Sequence, residues 1–349
     1  MSKIQIKSES IKQLAQECGF DVCGIAKAEL DSKVSERFRA WIRDGNHAGM
    51  KYLENFDRRA EDYFARLLKI KSVIVLGVNY YSSEKTETGA NVLKGRVARY
   101  AWGRDYHEGI SKMQQTLIGK IKSLIPESFW DGAVDTKPIF ERSFAKEAGL
   151  GFIGKQTQLL SLQFGPWLFL SELLTDLELE PDLPHSGSCG TCRICIDECP
   201  TEAIEEIGRI DARKCIAYLT IENKGSIPEP LRPKIGNWVF GCDECLNVCP
   251  YVAKQKTTSH EQLISKNGFG PNLKLEELFQ IKDQREYEEK FSGTAILRAN
   301  RKQLLRNACV TLGNSRDERA LSILEEALKD SSEMVREHAQ WAIHQIEQA

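Results

Sequence analysis

The chain has 349 residues, enough for two or three domains of ordinary size. Its 41% hydrophobic and 28% charged residues exclude a wholly disordered, collagen-like or coiled-coil protein. Forty-eight Lys and Arg against fifty Asp and Glu leave a formal net charge of −2, so a nucleic-acid partner has to be met by local basic patches and not by an overall positive field.

The opening MSKIQIKSES holds no apolar run of the signal-peptide kind. Residues 9–18 read as an amphipathic helix stopped by Gly19, followed by a strand at Asp21–Ala26 and a stronger one at Ser72–Tyr81. Between Asp105 and Ile125, Ile110, Met113, Leu117, Ile121 and Leu124 recur at helical spacing. Ala133–Asp135 reads as a strand end, Phe140–Ala148 as a helix stopped by Gly149, and Trp167–Leu174 as the next strand. The stretch Leu159 to Leu174 is the most apolar, yet Ser161, Gln163, Gly165, Pro166, Ser171 and Glu172 break it, so no membrane span and a cytoplasmic location are expected. Strands and helices alternate without strict βαβ order, so residues 1–180 are expected to form one α+β or α/β domain.

Pro181-Asp182-Leu183-Pro184 marks a boundary. A ferredoxin-like insert is expected over 181–255, and a polar link, Lys254 to Ser259, leads into a mostly helical tail over 256–349. In that tail Leu305-Arg306 and Val335-Arg336 open similar apolar-periodic helices thirty residues apart, with Asp317–Leu328 between them. They look like one and a half HEAT-type repeats, which must lean on the rest of the protein because they cannot bury their apolar faces alone.

Eight of the eleven cysteines lie between Cys189 and Cys249. Without a secretory signal, a disulfide framework is not expected. Cys189-x2-Cys192-x2-Cys195-x3-Cys199-Pro200 has the spacing of bacterial ferredoxins, in which three thiolates hold one four-iron cube and the fourth reaches a second. Cys242-x2-Cys245-x3-Cys249-Pro250 repeats the last three members, with Val239 where the first would stand and Cys215 as the substitute. Reciprocal exchange then predicts one cluster on Cys189, Cys192, Cys195 and Cys249 and another on Cys199, Cys215, Cys242 and Cys245. Eight thiolates for two cubes leave no remainder. Two structural zinc sites are the bland alternative. Cys18 and Cys309 fall in apolar helical stripes and read as small core residues.

Two stretches carry local positive charge without acids: Lys94–Arg104, with Lys94, Arg96, Arg99 and Arg104, and Lys290–Asn307, with Lys290, Arg298, Arg301, Lys302 and Arg306. Each is either a phosphate-binding surface or an ordinary solvated face. Gly149-x-Gly151-x-x-Gly154-Lys155 follows a helix rather than a strand and so fails the context of a dinucleotide fingerprint, but it remains a loop able to approach a flat cofactor closely. Asp105-x-His107-x-Gly109 comes near a cobalt-ligating D-x-H-x-x-G loop but has its Gly one residue early. Asp135 ends an apolar strand. It is either a turn-capping aspartate or a partly desolvated acid able to donate a proton.

These pieces resemble the epoxyqueuosine reductase family over nearly the whole chain. The resemblance rests on Arg99-Tyr100-Ala101-Trp102-Gly103-Arg104-Asp105-Tyr106-His107, Val134-Asp135-Thr136, Glu141 through Lys155, Arg213-Lys214-Cys215-Ile216 through Glu222, Phe240-Gly241-Cys242 to Pro250, and Arg306-Asn307-Ala308 to Asn314. It implies removal of an epoxide oxygen from a modified base at the tRNA wobble position, with two [4Fe-4S] clusters feeding electrons to cobalamin bound in the N-terminal domain. That domain would be similar in fold to reductive dehalogenases and cobalamin-processing proteins. The same resemblance makes Asp135 the proton donor, places cobalamin contacts at Arg58, Ala98, Gly154 and Lys155, and puts the tRNA-contacting side at Arg298, Arg301, Lys302 and Arg306. It further implies tRNAs with GUN anticodons, a low-potential donor such as ferredoxin or flavodoxin, and a monomer. Gln156 stands where members usually carry Asn, and the tail is shorter than in some relatives. The rival readings are a reductive dehalogenase using the same cofactors and a ferredoxin-type electron carrier with no substrate of its own.

Overall fold

The computed structural model describes residues 7–67, 69–84, 93–206, 208–253 and 255–348. Residues 1–6 and Lys254, the first residue of the expected polar link, lie outside the described residues. The strands used below are β1 (Val22–Lys27), β2 (Ser72–Asn79), β3 (Lys94–Val97), β4 (Trp130–Ala133), β5 (Leu168–Thr175), β6 (Trp238–Phe240) and β7 (Asn272–Lys274). The helices are α1 (Ser8–Glu17), α2 (Tyr106–Leu124), α3 (Glu141–Glu147), α4 (Arg301–Ser315) and α5 (Glu333–Glu347).

The main sheet has the order β1-β2-β5-β4. The β-branched run of β2 is buried at all eight positions, as a strand covered on both faces requires. Its side chains alternate. Ile74, Leu76 and Val78 pack with Ile11 and Ala15 of α1 and Ile110, Leu117 and Ile121 of α2, while Val73 and Val75 pack with Phe144 and Ala145 of α3 on the other face. Every pairing in this sheet is antiparallel, from Val22↔Gly77 through Ser72↔Thr175 to Ala133↔Glu172. The α/β expectation for the N-terminal region is therefore corrected to α+β: its helices cover an antiparallel sheet and do not serve as crossovers between parallel strands.

A second, three-stranded sheet joins the three expected domains. Its order is β6-β3-β7, with β6 parallel and β7 antiparallel to β3. One strand comes from each segment, and the apolar cluster beneath it runs from Val97 and Trp102 through Val239 and Phe240 to Leu305, Leu324 and Ile346. The cysteine-rich segment and the tail are therefore built into one body with residues 93–102. In the tail, α4 starts at a capping box formed by Asn300 and Gln303, and every residue from Gln303 to Gly313 is buried. A Cβ at Gly313 would lie 2.8 Å from Ala342 Cα, so the missing side chain lets α4 and α5 close on each other. Among the described residues no helix is long and apolar enough to cross a membrane.

Candidate active site

The end of β4, the start of α2 and a 3-10 turn at Ala295–Arg298 converge on a cavity of about 380 Å³. Tyr100, Tyr106 and His107 line one side, Asp135 stands at another, and Thr294 to Arg298 close it from the tail. Asp105 caps α2, its carboxylate accepting from the His107 N–H at 3.0 Å and meeting His107 Nδ1 at 2.6 Å. That contact raises the imidazole above its ordinary pKa, against the opposing effect of burial. The discounted Asp105-x-His107 pair thus lines the cavity. Tyr106 is fixed by stacking, its ring 4.0 Å from that of Phe169 and 4.1 Å from that of His107. Its hydroxyl donates to Asp135 Oδ2 at 3.2 Å.

Asp135 sits in the left-handed backbone region, φ 52°, and its N–H donates to Glu141 Oε1 at 2.9 Å. Its side chain is 48% exposed, so the partial burial expected of it is not supplied by the protein alone. Arg298 Nη1 approaches Asp135 Oδ2 at 3.7 Å while its Nε donates to Glu222 at 2.8 Å. Burial works against the Arg298 charge, but the Glu222 and Asp135 carboxylates outweigh it and hold the guanidinium firmly protonated. Behind Asp135 stand two further carboxyls, Glu141 and the fully buried Glu172. Burial, reinforced by Asp135 for Glu141 and by Glu141 for Glu172, raises the pKa of both. The sequence offered one clue to Glu172: an acid interrupting an apolar strand.

The thiols fall into two neighbourhoods. Burial raises the Cys195 thiol first, then the neighbouring thiols Cys189, Cys249 and Cys192. Cys245 is raised by burial and then by a set that includes Cys215 and Cys199, and Cys242 by burial and then by a set that includes Cys245 and Cys215. Cys245 also feels Cys195, so the two groups adjoin. Cys249 and Cys189 lie against Phe152 and Leu160, whereas Cys242 packs with Ala98 and Tyr100. The second group is therefore the one beside the cavity. Gly241 makes that approach possible: its φ is +69°, and a Cβ there would fall 2.5 Å from Ala98 Cβ.

The remaining expected site residues fall in different places. Ala98 is buried in the apolar cluster against which Tyr100 and Cys242 pack, its N–H donating to Phe240 O at 2.8 Å. Arg58 is exposed on the helix Phe56–Arg66, whose Phe56 packs 5.2 Å from Phe140 at the start of α3. Lys155 is buried, with Nζ donating to the carbonyls of Gly190 at 3.0 Å and Cys192 at 2.7 Å and its N–H to Cys189 Sγ at 3.4 Å. It braces the first cysteine loop, and its ammonium is not available to a cofactor phosphate. Gly154 lies against Gln156, whose buried Nε2 has no partner among the described residues. Arg142 ties this loop to α3 by donating to Thr157 O at 2.7 Å.

Of the expected tRNA-contacting residues, Arg298 faces the cavity and Lys302 is exposed, but two are corrected. Arg301 donates to Ile281 O and pairs with Asp330 at 2.7 Å. Arg306 is fully buried and donates to the carbonyls of Leu219, Asn223 and Gly225 and to Asn307 Oδ1. Their guanidiniums are occupied by the protein's own oxygens, so neither can meet a phosphate. The other basic stretch is also largely internal. Arg96 pairs with Glu244 at 2.6 Å, and Arg99 lies within 5 Å of the ring centres of Tyr81, Trp102 and Trp167.

Comparison with known proteins agrees with this geometry. Residues 188–252 match a 4Fe-4S double cluster binding domain and residues 62–136 match the epoxyqueuosine reductase QueG model. The epoxyqueuosine reductase of Xanthomonas campestris is 39% identical over 96% of this chain and 95% of its own length, and that of Pseudomonas aeruginosa is 37% identical over 96% and 93%. An epoxyqueuosine reductase crystallised with an epoxyqueuosine-modified tRNA-Tyr stem loop superimposes with a TM-score of 0.87 at 30% identity, over 97% of this chain and 89% of that one. The enzyme from Bacillus subtilis, captured with its catalytic aspartate loop swung out of the active site, gives a TM-score of 0.88 at 29% identity, over 97% and 90%. With the cysteine groups, the aspartate-lined cavity and near full-length identity in agreement, the chain belongs to the epoxyqueuosine reductase family.

Proposed function

We propose that this protein reduces epoxyqueuosine to queuosine at the wobble position of tRNAs with GUN anticodons, converting the epoxide to an alkene and water with two electrons and two protons. The observation that carries the reading is that Asp135 lines a cavity together with Tyr100, which packs on the same apolar cluster as Cys242. A proton source and an electron route thus meet at one place. The donor set fits two [4Fe-4S] clusters: Cys189, Cys192, Cys195 and Cys249 would hold the outer one, and Cys199, Cys215, Cys242 and Cys245 the one beside the cavity. For cobalamin, the unpartnered buried Gln156 amide is a polar group that a cofactor could satisfy, with Gly154, Ala98 and Arg58 as the further residues expected to meet it.

Cobalamin, when bound, supplies a strongly reducing and nucleophilic cobalt next to the substrate. The protein supplies the rest. Tyr106 and the turn at Asp135 hold a carboxyl where the epoxide oxygen gathers charge, and proton donation there is worth on the order of 10²–10⁴-fold in rate. The tail is read as HEAT-like, and Arg298 at the cavity and the exposed Lys302 would meet the anticodon backbone. A ferredoxin or flavodoxin is the expected class of electron donor, reaching the outer cluster of a monomer.

The test is incubation of anaerobically reconstituted enzyme and its Asp135→Asn variant with epoxyqueuosine tRNA and a low-potential reductant, followed by nucleoside mass analysis. Asp135→Asn should retain iron, corrinoid and tRNA binding but lose about 10²–10⁴ in turnover. Near wild-type reduction by the variant refutes the acid assignment.

A further inference from the structure

The turn that carries Asp135 is held in place by carboxyl groups that the reaction itself does not use. Asp135 takes a left-handed φ of 52°, a conformation that a non-glycine residue keeps only when its surroundings impose it. Its own N–H donates to Glu141 Oε1 at 2.9 Å. Glu141 is the first residue of α3. Glu172, on β5, stands directly across from Ala133, the last residue of β4, and both its carboxyl oxygens are buried with no donor from the chain among the described residues. Gln114 closes the arrangement from α2: its Nε2 donates to Ala133 O at 3.0 Å and to Glu172 O at 3.1 Å. Tyr106, on the same helix, donates to the Asp135 carboxyl.

We propose that Glu141 is the positioning residue for Asp135, holding its N–H so that the left-handed turn aims the carboxyl into the cavity, with Glu172 as the buried support behind Glu141. This deepens the reading of Asp135 as the acid and rests on it.

Two carboxyls side by side in a buried site cannot both be charged, so one keeps a proton. Glu172 is the deeper of the pair, and burial, then Glu141, raises its pKa. Glu141, with Asp135 on one side and Arg142 on the other, presents Oε1 as the acceptor that the Asp135 N–H needs. The base of the turn is pinned separately by Lys137 and by Tyr63, both on Asp131. Loss of the Glu141 bond therefore frees the tip and not the whole loop. A loop able to leave the active site, as in the Bacillus subtilis relative, needs a latch of this kind.

Hydrogen exchange of the cluster-loaded enzyme, read at peptides covering 133–140, tests the latch apart from activity. Glu141→Ala should speed exchange at residues 134–136 at least about tenfold. It should also lower kcat by about 10–100-fold, the order expected for a reacting group displaced by about an ångström, with KM for tRNA and iron content unchanged. Glu141→Gln keeps an oxygen for the same N–H and should restore most of both. Unchanged exchange and kcat in Glu141→Ala overturn the proposal. Should Glu141→Ala lose iron, the decision passes to Glu172→Met, which leaves the turn untouched: faster exchange at 134–136 supports the latch, and unchanged exchange overturns it. The two readings fail separately. Asp135→Asn keeps its N–H, so an active Asp135→Asn removes the acid while slow exchange and its loss in Glu141→Ala still stand.

Discussion

Arg298 and Arg306 lie eight positions apart in one basic stretch, and their surroundings give them opposite roles. Arg298 is 46% exposed at the cavity mouth, and its two carboxylate partners are ones a phosphate can replace. Arg306 is buried among carbonyl oxygens, and burial lowers its pKa to about 9. Arg298→Ala should weaken tRNA binding and reduce the slope of log affinity against log salt by about 0.7–0.9, the share of one phosphate contact; filter binding at several salt concentrations measures it. Arg306→Met should leave that slope alone and destabilise the fold by about 3–5 kcal/mol, because the carbonyls of Leu219, Asn223 and Gly225 lose their donor in a dry site. Denaturant titration of the two variants separates them, and a phosphate role for Arg306 would show as a changed salt slope with unchanged stability.

At the scale of elements, the helical tail owes its position to polar anchors as much as to its apolar face. His338 on α5 is completely buried, with Nδ1 against Met334 O at 2.7 Å and Nε2 accepting the Ile227 N–H at 3.1 Å. That pattern requires the neutral ring. Burial first, and then Arg232 with a smaller push from Arg306, lowers its pKa to about 4, against the opposing pull of Met334 O and Glu337. The ordinary value is 6.5, so the unfolded chain takes up the proton first as pH falls. The stabilisation is full above about pH 6.5 and disappears as pH drops toward 4, at most about 3 kcal/mol in all. Unfolding measured from about pH 7 down to about pH 5 should show this slope in the native protein and not in His338→Gln, which starts less stable. Such anchors explain what was legible in the sequence. Helical and strand periodicity placed α1, α2, α3, β1, β2 and β5 to within a residue or two, because each buries one regular face or both. The double-cluster segment was legible because the spacing of its cysteines is local. The tail's arginines were misread because charge composition does not distinguish a solvated guanidinium from one that ties carbonyls of a distant segment. Strands β3, β6 and β7 left no clear pattern, being three or four residues long and paired across more than 140 positions. Glu172 could be seen as an oddity in an apolar strand, but its partner could not.

For the whole molecule, the consequence of shared construction is that electron route, substrate cavity and tail depend on one another. Cys215 leads into a π-helical turn, Tyr218–Glu222, a distortion often found at functional positions. Its carbonyls are held by α4: Leu219 O by Arg306, Thr220 O by Asn307 at 2.7 Å and Ile221 O by Gln303 at 2.8 Å. Its last residue, Glu222, holds Arg298 at the cavity. A cluster held, as proposed, by Cys199, Cys215, Cys242 and Cys245 would therefore anchor the segment on which both the tail and Arg298 rest. The loop of Cys189 and Cys192, with Cys249, is braced instead by Lys155, Phe152 and Leu160. Cys215→Ala should remove about four irons per chain and speed hydrogen exchange in α4, with a melting temperature lower by several degrees, about 2–4 °C for each kcal/mol lost in a chain of this order of size. Cys189→Ala should remove about as much iron and leave α4 protected. Iron analysis with exchange mass spectrometry on both anaerobic variants measures the difference. If α4 exchanges equally slowly in the two, the tail is held by its apolar contacts alone, and the cluster beside the cavity is an electron carrier without a structural role.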